Sequence, residues 1–364
     1  MRHRLHALCP YFAMFPESFP EKWIGELTRP GDVVLDPFCG RGTTPFQALL
    51  MGRRAVASDI NPVAYCVTRA KTAAPSASAV ERRVGELQAR FAPDAHGAAA
   101  EALPDFFRAA YSGETLRQLL YLRDTLSWRR SNVDCMIAAL VLGRLHGETD
   151  KSREYLSAQM PRTISPKPAY SIRFWQRRGD RPPERDVFEF LRRQAAFRYA
   201  TPPPSLRGMT VLDDVRRLPR HSSRFPGPVK CVVTSPPYFN VTRCEEDQWL
   251  RLWFLGGPPH PTYGLVSHDD RHECLRKYWA LIRDTWATLG AVLAEGAHVV
   301  IRLGGKGLGL EDVVGGLQAA STAAGRRVEL LRSERSELRQ RQTGAFRPGS
   351  AGCVFEVDCL FAVN

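Results

Sequence analysis

Short apolar runs rich in valine, leucine and isoleucine recur along the chain, separated by segments with the three-to-four-residue spacing of helices. Asp32-Val33-Val34-Leu35-Asp36 has the continuous apolar character of a strand buried on both faces of a parallel sheet. Pro37 to Gly42 then form a glycine turn, after which Thr43 or Thr44 is expected to cap a helix through Gln47–Met51 that stops at Gly52. Arg54–Asp59 reads as a second strand, again ending in an acid. Asn61-Pro62 opens a second helix toward Lys71, proline being suited to a first helical turn. Strand patterns resume at Thr210–Leu212, Lys230–Thr234 and His298–Arg302. Helices are predicted around Trp249–Trp253, from Cys274 to Leu289 and from Leu310 to Ala324. Val328–Leu331 and Cys353–Val357 are expected to close the sheet as an antiparallel pair. This alternation predicts an α/β fold built on a doubly wound sheet, and no internal repeat is found.

The middle of the chain differs. Residues 73–206 begin alanine- and arginine-rich with helical spacing at Leu116, Leu119, Leu120 and Leu126. Between Lys151 and Ala200 twelve basic residues face five acidic ones, with Tyr155, Tyr170, Phe174 and Trp175 interleaved. Pro202-Pro203-Pro204 reads as the linker back. The expected organisation is 1–72, the first half of an α/β domain; 73–206, a mainly helical, basic insertion; and 207–364, its second half. The net charge of +13 attracts polyanions, nucleic acid first. A solvated helical insertion whose charges merely face water is the plainer alternative. No apolar run reaches the roughly 18 residues a membrane helix needs. The basic start lacks the cleavage pattern of a signal peptide, so a soluble, cytoplasmic protein is expected. Nine scattered cysteines without a CxxC pair point to reduced thiols in place of a disulfide framework.

Two motifs carry chemistry. In Asp36-Pro37-Phe38-Cys39-Gly40-Arg41-Gly42-Thr43-Thr44 a glycine turn between strand and helix lets backbone approach a ligand closely. The third glycine of a dinucleotide fingerprint would fall at Pro45, and the lysine of a phosphate-binding loop is lacking. Asp59 ends the next strand, where ribose hydroxyls could donate to it; a nucleoside without pyrophosphate fits best. In Thr234-Ser235-Pro236-Pro237-Tyr238, adjacent prolines stiffen the loop and remove two N–H donors. Carbonyls, a hydroxyl and an aromatic ring remain, a set suited to gripping a planar amine.

Together these motifs resemble the S-adenosylmethionine-dependent amino-methyltransferases of DNA, which methylate cytosine N4 or adenine N6. The resemblance covers roughly 8–71 and 209–362, and it implies a Rossmann-like, mostly parallel seven-stranded sheet. Asp36, Pro37, Phe38, Gly40, Gly42, Thr43 and Thr44 are similar to the family's cofactor motif, with Asp59 and Ile60 following it. Tyr11, Phe12 and Phe15 lie in a segment resembling the one that wraps the methionine end of S-adenosylmethionine, and Asp214 matches the acid that meets the adenine. Ser235, Pro236, Pro237 and Tyr238 look like the catalytic tetrapeptide. By this resemblance Ser235 Oγ and the Pro236 carbonyl accept from the amine of a flipped-out base, and Tyr238 stacks on it. Serine at the first position is similar to the cytosine-N4 members. The motif order resembles the class running cofactor region, target recognition, catalytic region.

The implied partner is double-stranded DNA, with a companion restriction endonuclease conceivable, and Arg162, Lys167, Arg173, Arg177 and Arg178 are the candidate DNA contacts. Adenine-N6 methylation, RNA guanine-N2 methylation and a purely DNA-binding role are the alternatives. His268, Asp269, Asp270, His272 and Cys274 could hold a metal by spacing, but they match no zinc pattern, and no metal is expected. Gly304-Gly305-Lys306-Gly307 reads as a flexible strand-end loop.

Overall fold

The computed structural model describes residues 2–11, 14–239, 244–262, 274–305, 307–338 and 353–364. Among these, the chain divides into two compact units. One comprises Met1–Phe12, Arg69–Pro203 and Arg243–Val266; the other comprises Ala13–Thr68, Pro204–Thr242 and Ser267–Asn364.

The second unit is an α/β sheet structure. Its strands are β1 (Val33–Asp36), β2 (Arg54–Asp59), β3 (Met209–Leu212), β4 (Val229–Thr234), β5 (Leu293–Leu303), β6 (Val328–Glu337) and β7 (Phe355–Val363). They form one sheet in the order β3-β2-β1-β4-β5-β7-β6. The pairs from β3 to β5 are parallel, whereas β7 is antiparallel to both β5 and β6. The seven-stranded, mostly parallel sheet expected from the sequence is therefore present. Alternation along the strands loads both faces, as a doubly wound fold requires. Val33, Leu35, Val232 and Val299 pack on one side with Tyr278, Ile282 and Trp286 of the helix Leu275–Val292 and with Val313 and Leu317 of Leu310–Ser321. Val34, Ala55, Val233 and Val300 pack on the other with Phe19, Trp23 and Ile24 of the helix Ser18–Leu27 and with Ala48 and Leu49 of Thr43–Leu50.

Three local expectations need correction. Neither Thr43 nor Thr44 caps the first helix after β1: the cap position is Gly42, in the left-handed region at φ 71°. A Cβ there would lie 2.5 Å from Thr68 Oγ1, so glycine is required by both conformation and space. The closing strand starts later than expected, at Phe355, and Cys353 and Val354 precede it. The last helix ends at Ser321 and passes into a 3₁₀ turn over Thr322–Ala324. At the second helix the prediction holds, because Asn61 Oδ1 accepts from the Val63 N–H at 2.9 Å and the helix runs Pro62–Thr72.

The other unit is mainly helical, with its longest helices at Ala77–Ala89, Gly113–Thr125, Asn132–Leu142, Pro168–Arg178, Val187–Tyr199 and Cys244–Phe254. Aromatic rings fill its centre: Phe107 lies 4.5 Å from Trp253 and Phe106 5.1 Å from Trp249, centroid to centroid. The buried Arg251 ties this core together, donating to Leu142 O at a helix end at 3.1 Å and to Arg162 O in a loop at 2.7 Å. The eight cysteines whose side chains are described are free, and all but Cys274 are buried. Among the described residues no helix is long and apolar enough to cross a membrane.

Candidate active site

In an open parallel sheet, ligands bind beyond the carboxyl ends of the strands where strand order reverses. Here that point is the β1/β4 junction, since β1 connects onward to β2 on one side and pairs with β4 on the other. Both sequence motifs leave the sheet there.

Asp36, the last residue of β1, is fully buried. Its Oδ1 accepts from Thr234 Oγ1 at 2.6 Å and from the Phe38 N–H at 3.1 Å, so the last residue of β4 holds the last residue of β1. Its Oδ2 is buried without a hydrogen bond of regular geometry among the described residues, and the buried hydroxyl of Thr44 acts on this carboxyl without reaching such geometry. Burial pushes the Asp36 carboxyl up to about 7, against the opposing pull of Thr234, the Phe38 N–H and the Thr44 hydroxyl. A buried carboxylate oxygen at a strand end without a well-formed hydrogen bond suits a cationic or N–H donor of a ligand.

Asp59 ends β2 and braces the glycine turn. Its Oδ2 accepts from the Gly40 N–H at 2.9 Å and its Oδ1 from the Asn61 N–H at 2.9 Å. Burial raises this carboxyl to about 6, the backbone bonds pulling the other way. Thr68 Oγ1 donates to Gly40 O at 3.1 Å and closes the turn from the far side. Pro37 is buried and Phe38 half-buried, whereas Ile60 is 55% exposed beside Asp59. Thr43 Oγ1 accepts from Arg41 Nε at 3.2 Å, and Arg41 reaches back to Phe15 O at 3.4 Å. Phe15 therefore joins the same unit, packed edge-on against Phe19 at 4.9 Å. Asp214 is engaged by Arg216, its Oδ2 accepting from Nη2 at 2.7 Å and its Oδ1 from Nε at 3.0 Å. Tyr11 belongs to the helical unit, and Phe12 lies outside the described residues.

Ser235, Pro236, Pro237 and Tyr238 follow β4 directly. Ser235 Oγ donates to Tyr238 Oη at 3.3 Å, and Tyr238 Oη donates to Glu356 Oε1 on β7 at 2.8 Å. Arg302 of β5 stands behind, with Nη1 3.5 Å from Glu356 Oε2 and a two-pronged pair to Asp358 at 2.7 and 2.9 Å. Trp23 Nε1 donates to Asp358 Oδ2 at 3.1 Å, and the Arg302 guanidinium lies 3.9 Å over the Phe19 ring. Burial, then the charge of Glu356, holds the Tyr238 phenol well above the usual tyrosine range. The loop after β5 is packed against this loop: Gly305 bridges Phe239, and a Cβ at Gly304 would lie 3.3 Å from Tyr238 Cε2. Glu356, Arg302 and Asp358 escaped the sequence reading. Their signal was charged residues inside otherwise apolar strands, which rarely occur buried unless paired.

Among the candidate DNA contacts, Lys167 precedes the helix Pro168–Arg178, and Arg173, Arg177 and Arg178 lie on it. Tyr170, Arg173, Phe174, Arg177 and Arg178 share one face by spacing; Ser171 and Trp175 are buried on the other, with Trp175 Nε1 bonded to Gln159 O at 2.8 Å. Arg178 is paired with Asp180 at 3.0 Å, and Arg162 lies 3.8 Å from Glu148. Of the suggested metal constellation, His268, Asp269, Asp270 and His272 lie outside the described residues, as does Lys306.

Residues 2–68 match a family model described as DNA methylase. This span includes the glycine turn and Asp59. A comparison with curated proteins gives no match. Among solved structures the chain is similar to TrmN from Thermus thermophilus, at 13% identity and a TM-score of 0.37, over 96% of this chain and 49% of that one. It thus spans about half the length of that protein. It is also similar to the rRNA methyltransferase aviRa from Streptomyces viridochromogenes, at 13% identity and a TM-score of 0.35, over 99% of this chain and 91% of the other. An rRNA methylase from Streptococcus thermophilus is 8% identical with a TM-score of 0.35, over 97% and 99% of the two chains.

Proposed function

We propose that the protein is an S-adenosylmethionine-dependent methyltransferase acting on an exocyclic amine of a nucleobase, with cytosine N4 in duplex DNA as the favoured target. The observation that carries the reading is the direct link between the two motifs. Thr234, next to the Ser-Pro-Pro-Tyr loop, hydrogen-bonds Asp36, which opens the glycine turn. A cofactor turn and an amine-gripping loop thus leave adjacent strand ends. The DNA methylase match over residues 2–68 supports the cofactor half.

The residues present fit S-adenosylmethionine. Asp36 Oδ2, which has no well-formed hydrogen bond, would take its ammonium group, the lone pair that the backbone leaves on Asp59 would take a ribose hydroxyl, and the turn between Phe38 and Thr44 would pass along the nucleoside. Asp214 would reach the adenine amine while keeping its pair with Arg216. When bound, the cofactor supplies an electrophilic methyl group on a sulfonium centre. On the protein side, Ser235 Oγ and the Pro236 carbonyl accept from the amine hydrogens and favour a more tetrahedral nitrogen. Because the Ser235 proton is turned toward Tyr238, an oxygen lone pair is left for the amine. Serine, a neutral group at the first tetrapeptide position, favours cytosine over adenine in this reading. The exposed face of Pro168–Arg178, with Lys167, Arg173 and Arg177 set among Tyr170 and Phe174, would neutralise phosphates.

Methyl transfer from labelled S-adenosylmethionine to duplex DNA and to RNA, read by nucleoside mass spectrometry, tests this. N4-methylcytosine in DNA is expected. N6-methyladenine would move the target, label confined to RNA would move the substrate class, and no label in either would remove the reading.

A further inference from the structure

Arg302, Glu356 and Asp358 form a charged cluster inside the sheet, and the cluster touches the tetrapeptide through one hydrogen bond, Tyr238 Oη to Glu356 at 2.8 Å. Resting on the methyltransferase reading, we propose that Ser235, Tyr238 and Glu356 form a proton relay that carries away the proton the amine sheds on methylation, with Glu356 as its terminal acceptor.

The direction of the chain follows from chemistry. A carboxylate only accepts, so the single Tyr238 proton points at Glu356; Tyr238 Oη is then left to accept, and Ser235 must donate to it. At the start of turnover every proton is therefore already aimed away from the substrate. As the nitrogen lone pair forms the new bond to the methyl carbon, the carbon–sulfur bond breaks with its pair left on sulfur, and the nitrogen becomes positively charged. The nitrogen then returns to neutrality by giving a proton to Ser235 Oγ. Ser235 passes its own proton to Tyr238, Tyr238 passes its own to Glu356, and a neutral carboxylic acid replaces the carboxylate. No charge is left on Ser235 or Tyr238. The Glu356 side chain keeps 18% exposure, which gives the proton a way out to water.

Groups around Glu356 hold it in place. Arg302 comes from β5, Asp358 is two residues along β7, and Ser336 is its register partner on β6. Behind Asp358, its register partner Glu334 is held by Lys22 and Arg332. Arg302 spends Nε and Nη2 on Asp358 and turns only Nη1 toward Glu356, so Glu356 receives the longer contact. The strong pair acts as scaffold and Glu356 as a positioning residue able to change protonation without undoing the cluster.

The test uses full-length wild type, Glu356→Gln and Tyr238→Phe. Each is preloaded with saturating cofactor, and single-turnover methylation of nucleic acid is followed from pH 5.5 to 9. Both variants are expected to lose about a hundredfold in rate, the lower range for a lost proton-transfer group, while affinity for S-adenosylhomocysteine stays within twofold of wild type. Glu356→Asp, which keeps a carboxylate at the end of the chain, is expected to recover at least about tenfold of the rate lost in Glu356→Gln, which a merely structural role for the side chain would not produce. A second readout needs no turnover: the tyrosinate absorbance absent from Tyr238→Phe should appear at lower pH in Glu356→Gln than in wild type. Wild-type transfer with an unchanged rate in Glu356→Gln, no recovery in Glu356→Asp, a normal rate in Tyr238→Phe, or an unmoved tyrosinate signal overturns the relay and leaves the methyltransferase reading standing. No transfer by wild type to any nucleic acid overturns both.

Discussion

Replacing Asp36 by asparagine separates what this buried carboxyl costs the fold from what it contributes to binding. Its folded pKa of about 7 against an ordinary 3.8 means that between those values the native state holds a proton the unfolded chain has released. Stability therefore falls as pH rises through this window. Integrated from pH 5 to pH 8, one such group removes about 2.5 kcal/mol, and asparagine does not titrate. The introduced amide can still accept from Thr234 and the Phe38 N–H, but its NH₂ replaces an oxygen that has no well-formed hydrogen bond and meets no acceptor of regular geometry there. That mismatch costs roughly 1–3 kcal/mol and does not depend on pH. The robust quantity is consequently the change in the stability difference with pH. Relative to wild type, Asp36→Asn should gain about 2.5 kcal/mol between pH 5 and pH 8 in urea titrations. Binding should move the other way. Titration calorimetry with S-adenosylhomocysteine should show wild-type affinity rising with pH toward about 7, as Asp36 ionises to meet the ammonium. In Asp36→Asn the affinity should be lower by about 10- to 150-fold, the worth of a charge-assisted hydrogen bond. A stability difference that is the same at pH 5 and pH 8 would refute the burial argument. Unaltered affinity in the variant would remove Asp36 from the cofactor site.

Other outcomes are equally open to measurement. Ser235→Ala should lose about 10²- to 10³-fold in turnover, with S-adenosylhomocysteine affinity nearly intact, because its hydroxyl serves the amine. Gly42→Ala meets both a left-handed φ of 71° and Thr68 Oγ1 at 2.5 Å, so thermal unfolding should show a loss of about 1–3 kcal/mol. Pairing it with Thr68→Ala should recover the steric part alone. Asp59→Ala should weaken cofactor binding and loosen the Gly40 turn; calorimetry at pH 8 checks the first. Arg173→Glu with Arg177→Glu should weaken nucleic-acid binding uniformly across sequences. The slope of log affinity against log salt should fall by about two in magnitude, while far-ultraviolet circular dichroism stays unchanged.

Which features were legible in the sequence follows from how local their causes are. Apolar runs closing on Asp36, Asp59 and Thr234 marked strands and their carboxyl ends, because a strand buried on both faces must be apolar throughout and its end is where polar chemistry resumes. The glycine turn and the two prolines after Ser235 were visible for the same reason, since backbone constraint is written in residue type. The helix cap was misread because threonine is a good cap by composition, while the choice of Gly42 depended on Thr68 packing from a different helix. Strand order, which brings Asp36 beside Thr234, joins residues 198 positions apart, and no local pattern encodes that. Likewise Arg302, Glu356 and Asp358 looked like scattered charges in the sequence. Antiparallel pairing of β5 with β7 set Arg302 opposite Asp358 and brought Glu356 under Tyr238, turning those charges into one connected group. Local chemistry was set by the chain, but the partner of each buried charge was settled by the sheet, because desolvated charges persist only where tertiary structure supplies their counterparts.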